Sequence, residues 1–107
     1  MAFAIRIYNL FNHLCNNKKE YVLSKQLLRS GTSIGANLSE AKCAISESDF
    51  LAKVYISYKE CSETLWWLEL LHNIKLLTDR EFTSIYKDCE EIIKLLSATI
   101  QTIKSKK

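Results

Sequence analysis

The feature that most constrains this chain is its near-lack of residues that break regular structure. Its 107 residues contain no proline and only two glycines, Gly31 and Gly35. A sheet protein needs many turns, and turns consume glycine and proline. The sequence therefore predicts an all-α protein of a few long helices. We expect a single domain over residues 1–107, a usual domain size that supports a core without disulfides or metals.

Apolar residues recur at spacings of three and four, which is the pattern of amphipathic helices. The predicted helices cover roughly 2–15, 24–44, 47–76 and 79–104. Because the connections between them are short, consecutive helices should run antiparallel. The predicted architecture is an antiparallel up-and-down four-helix bundle.

Three of the helix starts carry polar capping residues. Ser24 is a plausible N-cap of the second helix. Ser46 and Asp49 resemble a capping box with aspartate in place of the usual glutamate, and Thr78 with Glu81 is a complete one. We therefore expect the fourth helix to have the best-defined boundary.

The second helix carries glycines inside its apolar stripe. A mid-helix glycine costs about 1 kcal/mol relative to alanine, so Gly31 and Gly35 indicate close approach of another backbone or a kink. The alternative is a weak helix. One side of the same helix carries the polar residues Ser33, Asn37 and Glu40. Two interpretations stay open: these side chains form hydrogen bonds to another helix, or they face solvent.

The third and fourth helices carry more apolar surface than one bundle needs. A bundle helix requires about one stripe, and a second exposed stripe marks an interface. We therefore predict a homo-oligomer. The predicted interface residues are Trp66, Trp67, Tyr86, Ile93 and Ile100. The alternative is that the tryptophan and tyrosine side chains cap the ends of the bundle.

Positive charge concentrates in the first half of the chain. The net charge is +3, whereas residues 1–46 hold six bases against two acids. Phosphate contacts come mainly from such lysines and arginines. The candidate nucleic-acid-binding residues are Lys18, Lys19, Lys25 and Arg29. The alternative is a solvated surface that keeps the protein soluble.

No sequence pattern indicates catalysis or a cofactor. The four cysteines are widely spaced, so buried reduced thiols are expected rather than a zinc site. Glu69 and His72 form half of a di-iron motif, but His13 lacks the matching glutamate, so no metal site is predicted. We expect no enzymatic activity and no small-molecule substrate. No apolar run reaches the length of a membrane span, and reduced thiols suit a cytoplasmic protein.

The second helix also carries a family resemblance. Residues 26–41 read QLLRSGTSIGANLSEA. This segment resembles the signature Q-x-R-R-A-x-x-S-I-P-A-N-I-A-E-G of the bundle proteins encoded by intervening sequences of large-subunit (23S) ribosomal RNA genes. The matching residues are Gln26, Arg29, Ser33, Ile34, Ala36, Asn37 and Glu40. Gly35, Leu38 and Ala41 stand where the signature has proline, isoleucine and glycine.

The resemblance implies an up-and-down bundle that assembles as a ring, with a pentamer as the expected form, and has no enzymatic activity. A related branch, the accessory proteins of diversity-generating retroelements, binds nucleic acid and a reverse transcriptase. We therefore expect an oligomeric bundle that binds RNA or DNA through its basic N-terminal half. The alternative is a scaffolding oligomer without nucleic-acid binding, whose protein partner docks on Trp66, Trp67 or Tyr55.

Overall fold

A computed structural model describes residues 1–106 and confirms the predicted four-helix bundle. The helices are α1 (Ala2–Asn16), α2 (Leu23–Ala41), α3 (Glu47–Asn73) and α4 (Asp79–Ser105). No strand occurs between residues 1 and 106. The described part of the chain measures 48 × 21 × 19 Å. Lys107, with which the predicted domain ends, lies outside the described residues.

Two polar contacts establish that α2 and α3 run antiparallel. The Ser57 hydroxyl of α3 donates to the Ile34 carbonyl of α2 at 2.9 Å, and the Thr64 hydroxyl donates to Ser30 Oγ at 3.0 Å. Residue numbers rise along α3 as they fall along α2, so the two helices run in opposite directions. α1 packs mainly on α2 and touches α4 only lightly.

One apolar stripe from each helix meets in the core. The buried apolar residues include Ile7, Leu14, Leu27, Ile34, Val54, Cys61, Leu68, Ile85, Cys89 and Leu96. A few hydroxyl side chains are buried beside them, and all of these form hydrogen bonds. Buried polar groups without partners are destabilising, so these hydroxyls are compatible with a tightly packed α2–α3 seam.

The starts of α3 and α4 lie where the sequence predicts them, and of the two caps Thr78 alone forms a reciprocal capping box. Ser46 Oγ accepts the Asp49 amide at 3.0 Å, and the Asp49 carboxylate accepts the Ile45 amide at 3.3 Å. Thr78 and Glu81 form the reciprocal capping box, with contacts of 3.1 and 2.8 Å. Both caps are local in sequence, which is why spacing alone was enough to predict them.

The start of α2 differs from the prediction, because Ser24 is not its N-cap. Ser24 lies inside the helix, is buried, and donates its hydroxyl to the Glu20 carbonyl at 2.9 Å. The Glu20 carboxylate accepts the amides of Ser24 at 2.7 Å and Val22 at 3.2 Å. Burial raises the pKa of Glu20, but these hydrogen bonds outweigh it and lower the pKa below its usual value. Glu20 therefore caps the helix.

Two helices end earlier than predicted. α2 stops at Ala41 rather than residue 44, because the amides of Cys43 and Ala44 bond three residues back and tighten the chain into a turn. α3 stops at Asn73 rather than residue 76, because Lys75 has a left-handed backbone that ends the helix. α1 and α4 each extend one residue beyond the prediction.

The glycines of α2 have different surroundings. A Cβ at Gly31 would lie 2.8 Å from Ile7 Cγ2 and 2.9 Å from its Cγ1, so a side chain of α1 occupies that space. The close neighbour is therefore a side chain, whereas the sequence had indicated another backbone or a kink. A Cβ at Gly35 would meet nothing within 4 Å. Gly31 alone is required by packing within the protomer.

Candidate nucleic-acid interface

The up-and-down path brings the α1–α2 loop and the α3–α4 loop to the same end of the bundle. We call this the basic end, and define it by Lys18, Lys19, Lys25, Lys75 and Arg80. The side chains of all five are exposed. Within the described part of the chain none of the five forms an ion pair. The folded chain thus adds Lys75 and Arg80 to the three lysines predicted from the first half.

Lys75 occupies the left-handed position that ends α3. Its φ is 68°, its amide bonds to the His72 carbonyl at 3.1 Å, and the Leu76 amide bonds to the Leu71 carbonyl at 2.9 Å. This is the hydrogen-bond pattern of a Schellman cap, whose left-handed residue is usually glycine. A lysine at this position carries a backbone penalty of roughly 1 kcal/mol that glycine would avoid.

Lys19 occupies a similar conformation in the α1–α2 loop. Its φ is 56°, and the following amide, that of Glu20, bonds back to the Leu14 carbonyl at 3.0 Å. Among residues 1–106, Lys19 and Lys75 are the non-glycine residues with positive φ. Both are lysines, and both lie at the basic end. Uncommon backbone conformations of this kind concentrate at functional sites.

A shallow cavity of about 340 Å³ joins the two loops. Lys18 from one loop and Lys75 from the other line it, together with His72, Thr78 and Asp79. Lysines distant in sequence therefore border one depression. Such a concentration of exposed cations attracts anions.

The carboxylates near the basic end already have hydrogen-bond partners. His72 Nε2 lies 2.7 Å from Asp79 Oδ1, and this hydrogen bond together with the imidazole's charge lowers the pKa of Asp79. Glu81 is bound in the Thr78 capping box, which lowers its pKa despite partial burial. Asp79 and Glu81 stay ionised under ordinary conditions, so they reduce the positive field without pairing with the lysines.

Arg29 does not belong to the basic end, in contrast to the sequence prediction. Its guanidinium pairs with Glu60 at 3.1 Å and with Glu63, both on α3, and Gln26 accepts from its Nε at 3.3 Å. Glu63 also accepts the Trp67 indole N–H at 2.9 Å. Arg29 therefore links α2 to α3, and its charge is neutralised there.

The other polar residues of the α2 signature also act within the bundle. Ser33 Oγ donates to the Arg29 carbonyl at 2.6 Å, and Asn37 Nδ2 donates to the Ser33 carbonyl at 2.9 Å. Of this polar line only Glu40 reaches another helix, through an ion pair with Lys53 at 3.3 Å. In the protomer, the signature therefore supports α2 and its contact with α3.

The structure places the predicted interface residues in different environments, some exposed and some buried. Trp66 is 56% exposed, whereas Trp67, Tyr86 and Ile93 are half-buried against the core. Ile100 is only 6% exposed, so its prediction as an interface residue is contradicted. The second stripe of α4 points inward here, because α4 packs extensively on α3.

Another uncovered apolar surface lies elsewhere and was not predicted from the sequence. α1 has 15 residues and α4 has 27, so the C-terminal half of α4 extends past the start of α1. The result is a groove of about 600 Å³, here called the apolar groove. Its lining includes Met1, Phe3, Gly35, Ala36, Ile92 and Leu95. Leu95 is 70% exposed. The unequal lengths of the first and fourth predicted helices were the sequence feature from which this groove could have been predicted.

The cysteines depart in part from the expected burial. Cys61 and Cys89 are buried, Cys15 is partly buried, and Cys43 is exposed beyond the end of α2. All four are free thiols. Among residues 1–106, no three His, Cys, Asp or Glu side chains converge as metal ligands. None of the described helices is both long and apolar enough to cross a membrane.

These features define an all-α four-helix bundle with one basic end. Residues 1–98 match the family described as 23S rRNA-intervening sequence protein, and the chain belongs to that family. It is also similar to a crystal structure, at 1.70 Å resolution, of a protein described as of unknown function from the S23 ribosomal protein family of Bacteroides thetaiotaomicron VPI-5482. The two chains are 51% identical with a TM-score of 0.92, over 94% of this chain and 89% of the other. No curated protein matches this chain.

Proposed function

We propose that this protein is a non-enzymatic bundle whose basic end binds the phosphate backbone of structured RNA. The observation that carries the proposal is the placement of Lys19 and Lys75, in left-handed conformations, at the same end of the molecule. Glycine would be more stable at both positions. A lysine at either position is explained if its ammonium group binds an anionic ligand. In nucleic acids, the anion that such groups bind is phosphate.

The family description supports RNA as the first ligand to test, because it refers to 23S rRNA. The basic end offers charges without a built pocket for bases, so it is suited to backbone contacts that carry little sequence information. Duplex DNA has the same charged backbone and serves as the comparison. RNA helices present a wide, shallow minor groove with 2′-hydroxyls, which distinguishes the two by shape.

The direct test is an anisotropy titration of labelled structured RNA and duplex DNA at several salt concentrations. Each phosphate contact contributes about −0.7 to −0.9 to the slope of log K against log salt. If the five cations of the basic end make three to five contacts, the slope per protomer is roughly −2 to −4.5. No binding at the lowest salt concentration would remove this function.

The proposal includes assembly into a ring-like homo-oligomer, with a pentamer as the expected form. The apolar groove is the surface that supports it, since Met1 and Leu95 are large apolar residues that a lone protomer leaves in water. A ring would repeat the basic end in every protomer. Several weak sites on one particle bind a long polyanion more tightly than any one of them.

Light scattering tests the assembly against the 12.4 kDa mass of one chain. The expected mass is about five times larger. Leu95→Glu should reduce the mass to that of a protomer, because it places charge in the apolar groove. Ile45→Glu is the matched control, since Ile45 is an equally large exposed residue that lies in the α2–α3 loop. A wild-type protein with protomer mass at micromolar concentration contradicts the assembly.

A second function, docking of a protein partner, is favoured by Trp66. Trp66 is 56% exposed, and its ring stands edge-on to that of Trp67, with centroids 4.9 Å apart. With Tyr58 and Glu63 it borders a depression of about 420 Å³. Exposed tryptophans are frequent anchors of interfaces. Capture of one defined protein that survives nuclease treatment and is lost in Trp66→Ala would support this function, whereas equal capture by that variant would remove it.

A further inference from the structure

Two thiols face each other across the α3–α4 seam. Cys61 Sγ and Cys89 Sγ are 3.6 Å apart, and both residues are fully buried. Each thiol also contacts the carbonyl oxygen of the other residue, at 3.5 Å from Cys61 and 3.8 Å from Cys89. These reciprocal contacts hold the two sulfur atoms side by side.

The surroundings of the pair favour oxidation to a neutral disulfide over the binding of a metal ion. No third His, Cys, Asp or Glu among residues 1–106 completes a metal-binding group there. A two-thiolate complex of a monovalent soft metal carries a net negative charge, and an unpaired buried charge is strongly destabilising. A disulfide is neutral. Its bond length is about 2.05 Å, so the sulfur atoms must approach by about 1.5 Å.

We propose that Cys61 and Cys89 form an oxidisable dithiol that closes into a disulfide between α3 and α4. The site is independent of the basic end, because the pair lies in the middle of both helices, distant in sequence from the α3–α4 loop. Disulfides in reducing compartments are usually transient or regulatory. The pair is therefore a covalent lock on the α3–α4 hairpin that responds to oxidation.

Hydrogen peroxide is the oxidant that balances the reaction. The Cys61 thiolate attacks one peroxide oxygen, the O–O bond breaks, and water leaves after protonation, so that Cys61 becomes a sulfenic acid. The Cys89 sulfur then attacks the Cys61 sulfur, displaces the hydroxyl as a second water and forms the disulfide. In sum, two thiols and one peroxide give one disulfide and two waters.

Either sulfur can donate the hydrogen bond between Cys61 and Cys89, so the two roles are interchangeable. Donation from Cys89 lowers the pKa of the Cys61 thiol despite burial. The same hydrogen bond, with burial, raises the pKa of Cys89. Whichever thiol reacts first, the product is the same disulfide between Cys61 and Cys89. Because both sulfurs are buried, peroxide reaches them only when the seam opens, and oxidation is slower than at exposed Cys43.

The test uses a Cys15→Ser/Cys43→Ser variant, which keeps the buried pair and removes the two accessible thiols. After peroxide treatment and denaturation, alkylation should find no free thiol. Trypsin should release a linked product of residues 60–75 and 88–94. The closed loop spans 28 residues. A crosslink of that length should raise the folding equilibrium constant a hundredfold or more, and dithiothreitol should reverse this.

The proposal is overturned if the variant keeps its fold but both thiols are still alkylated after peroxide treatment. It is also overturned if peroxide adds oxygen to either cysteine without producing the linked peptides. A Cys89→Ala change in the same background is the control, since it must abolish both the link and the stabilisation. None of these results depends on RNA binding.

Discussion

Substituting alanine for each of the two glycines of α2 should give effects of opposite sign. Alanine in a helix interior is about 1 kcal/mol more favourable than glycine. Gly35→Ala places its methyl in open space, so it should stabilise the protein by about 1 kcal/mol, or roughly 4 °C in Tm.

Gly31→Ala gains the same helix propensity but places its methyl 2.8 Å from Ile7 Cγ2. That carbon is attached directly to the Ile7 Cβ, and Ile7 is fully buried, so it cannot move aside without disturbing the core. Overpacking of this kind costs about 1–3 kcal/mol. After subtracting the propensity gain, Gly31→Ala should destabilise the protein by about 1 kcal/mol, so the two variants differ by about 2 kcal/mol.

The assay is urea unfolding followed by far-ultraviolet circular dichroism, at one protomer concentration and in the Leu95→Glu background, because assembly adds to apparent stability and Gly35 lines the apolar groove. A double-mutant cycle supplies the control. Ile7→Ala should itself cost about 2–5 kcal/mol. When Ile7→Ala is present, Gly31→Ala should become stabilising, because the opposing carbons are gone. If Gly31→Ala stabilises the protein that retains Ile7 as much as Gly35→Ala does, the packing argument is wrong.

Three further predictions concern caps and ion pairs. Thr78→Ala should lower the free energy of unfolding by about 1 kcal/mol, and an unchanged urea midpoint would contradict the capping role. Because the pKa of Glu20 is lowered in the folded state, its contribution is complete above the unfolded-state pKa and is lost as pH falls through the folded one. The stability difference between wild type and Glu20→Gln, measured by urea titration, should therefore be largest near neutral pH and shrink below about pH 4. Arg29→Ala leaves two carboxylates of α3 unpaired and should lower the free energy of unfolding by up to about 1 kcal/mol. Lys25→Ala, at the exposed start of α2, is the control and should change the urea midpoint little. Equal effects of the two variants would contradict the pairing of Arg29 with α3.

Features encoded by short-range pattern were predictable from the sequence. The Ser46 cap and the Thr78 capping box depend on residues three positions apart, and they mark the starts of α3 and α4. The α2 cap was missed because Glu20 acts from the loop before the helix, while Ser24 has the residue type of a cap and is buried instead. Side-chain identity alone does not distinguish these two roles.

Features that depend on packing or on the chain path were less predictable. Lys18 and Lys75 border the same cavity although 56 residues separate them in sequence. Their approach therefore depends on the order of the helices and not on a local pattern. The pairing of Arg29 with α3 needed the register between two helices. Two apolar stripes on α4 left its inward face ambiguous, which is why Ile100 was assigned to the outside although the core encloses it.

The most direct test of the proposed RNA binding compares two charge-matched variants by anisotropy titration. Lys19→Gly/Lys75→Gly removes two ammonium groups of the basic end and relieves two left-handed backbones, so the variant should be at least as stable as the wild type. Lys87→Ala/Lys94→Ala removes the same charge from the exposed side of α4.

We predict that Lys19→Gly/Lys75→Gly weakens RNA binding and reduces the magnitude of the salt slope by about two. Lys87→Ala/Lys94→Ala should retain nearly the wild-type affinity and slope. Equal affinities for the two variants, whether both are retained or both are lost, would contradict a binding role for the basic end.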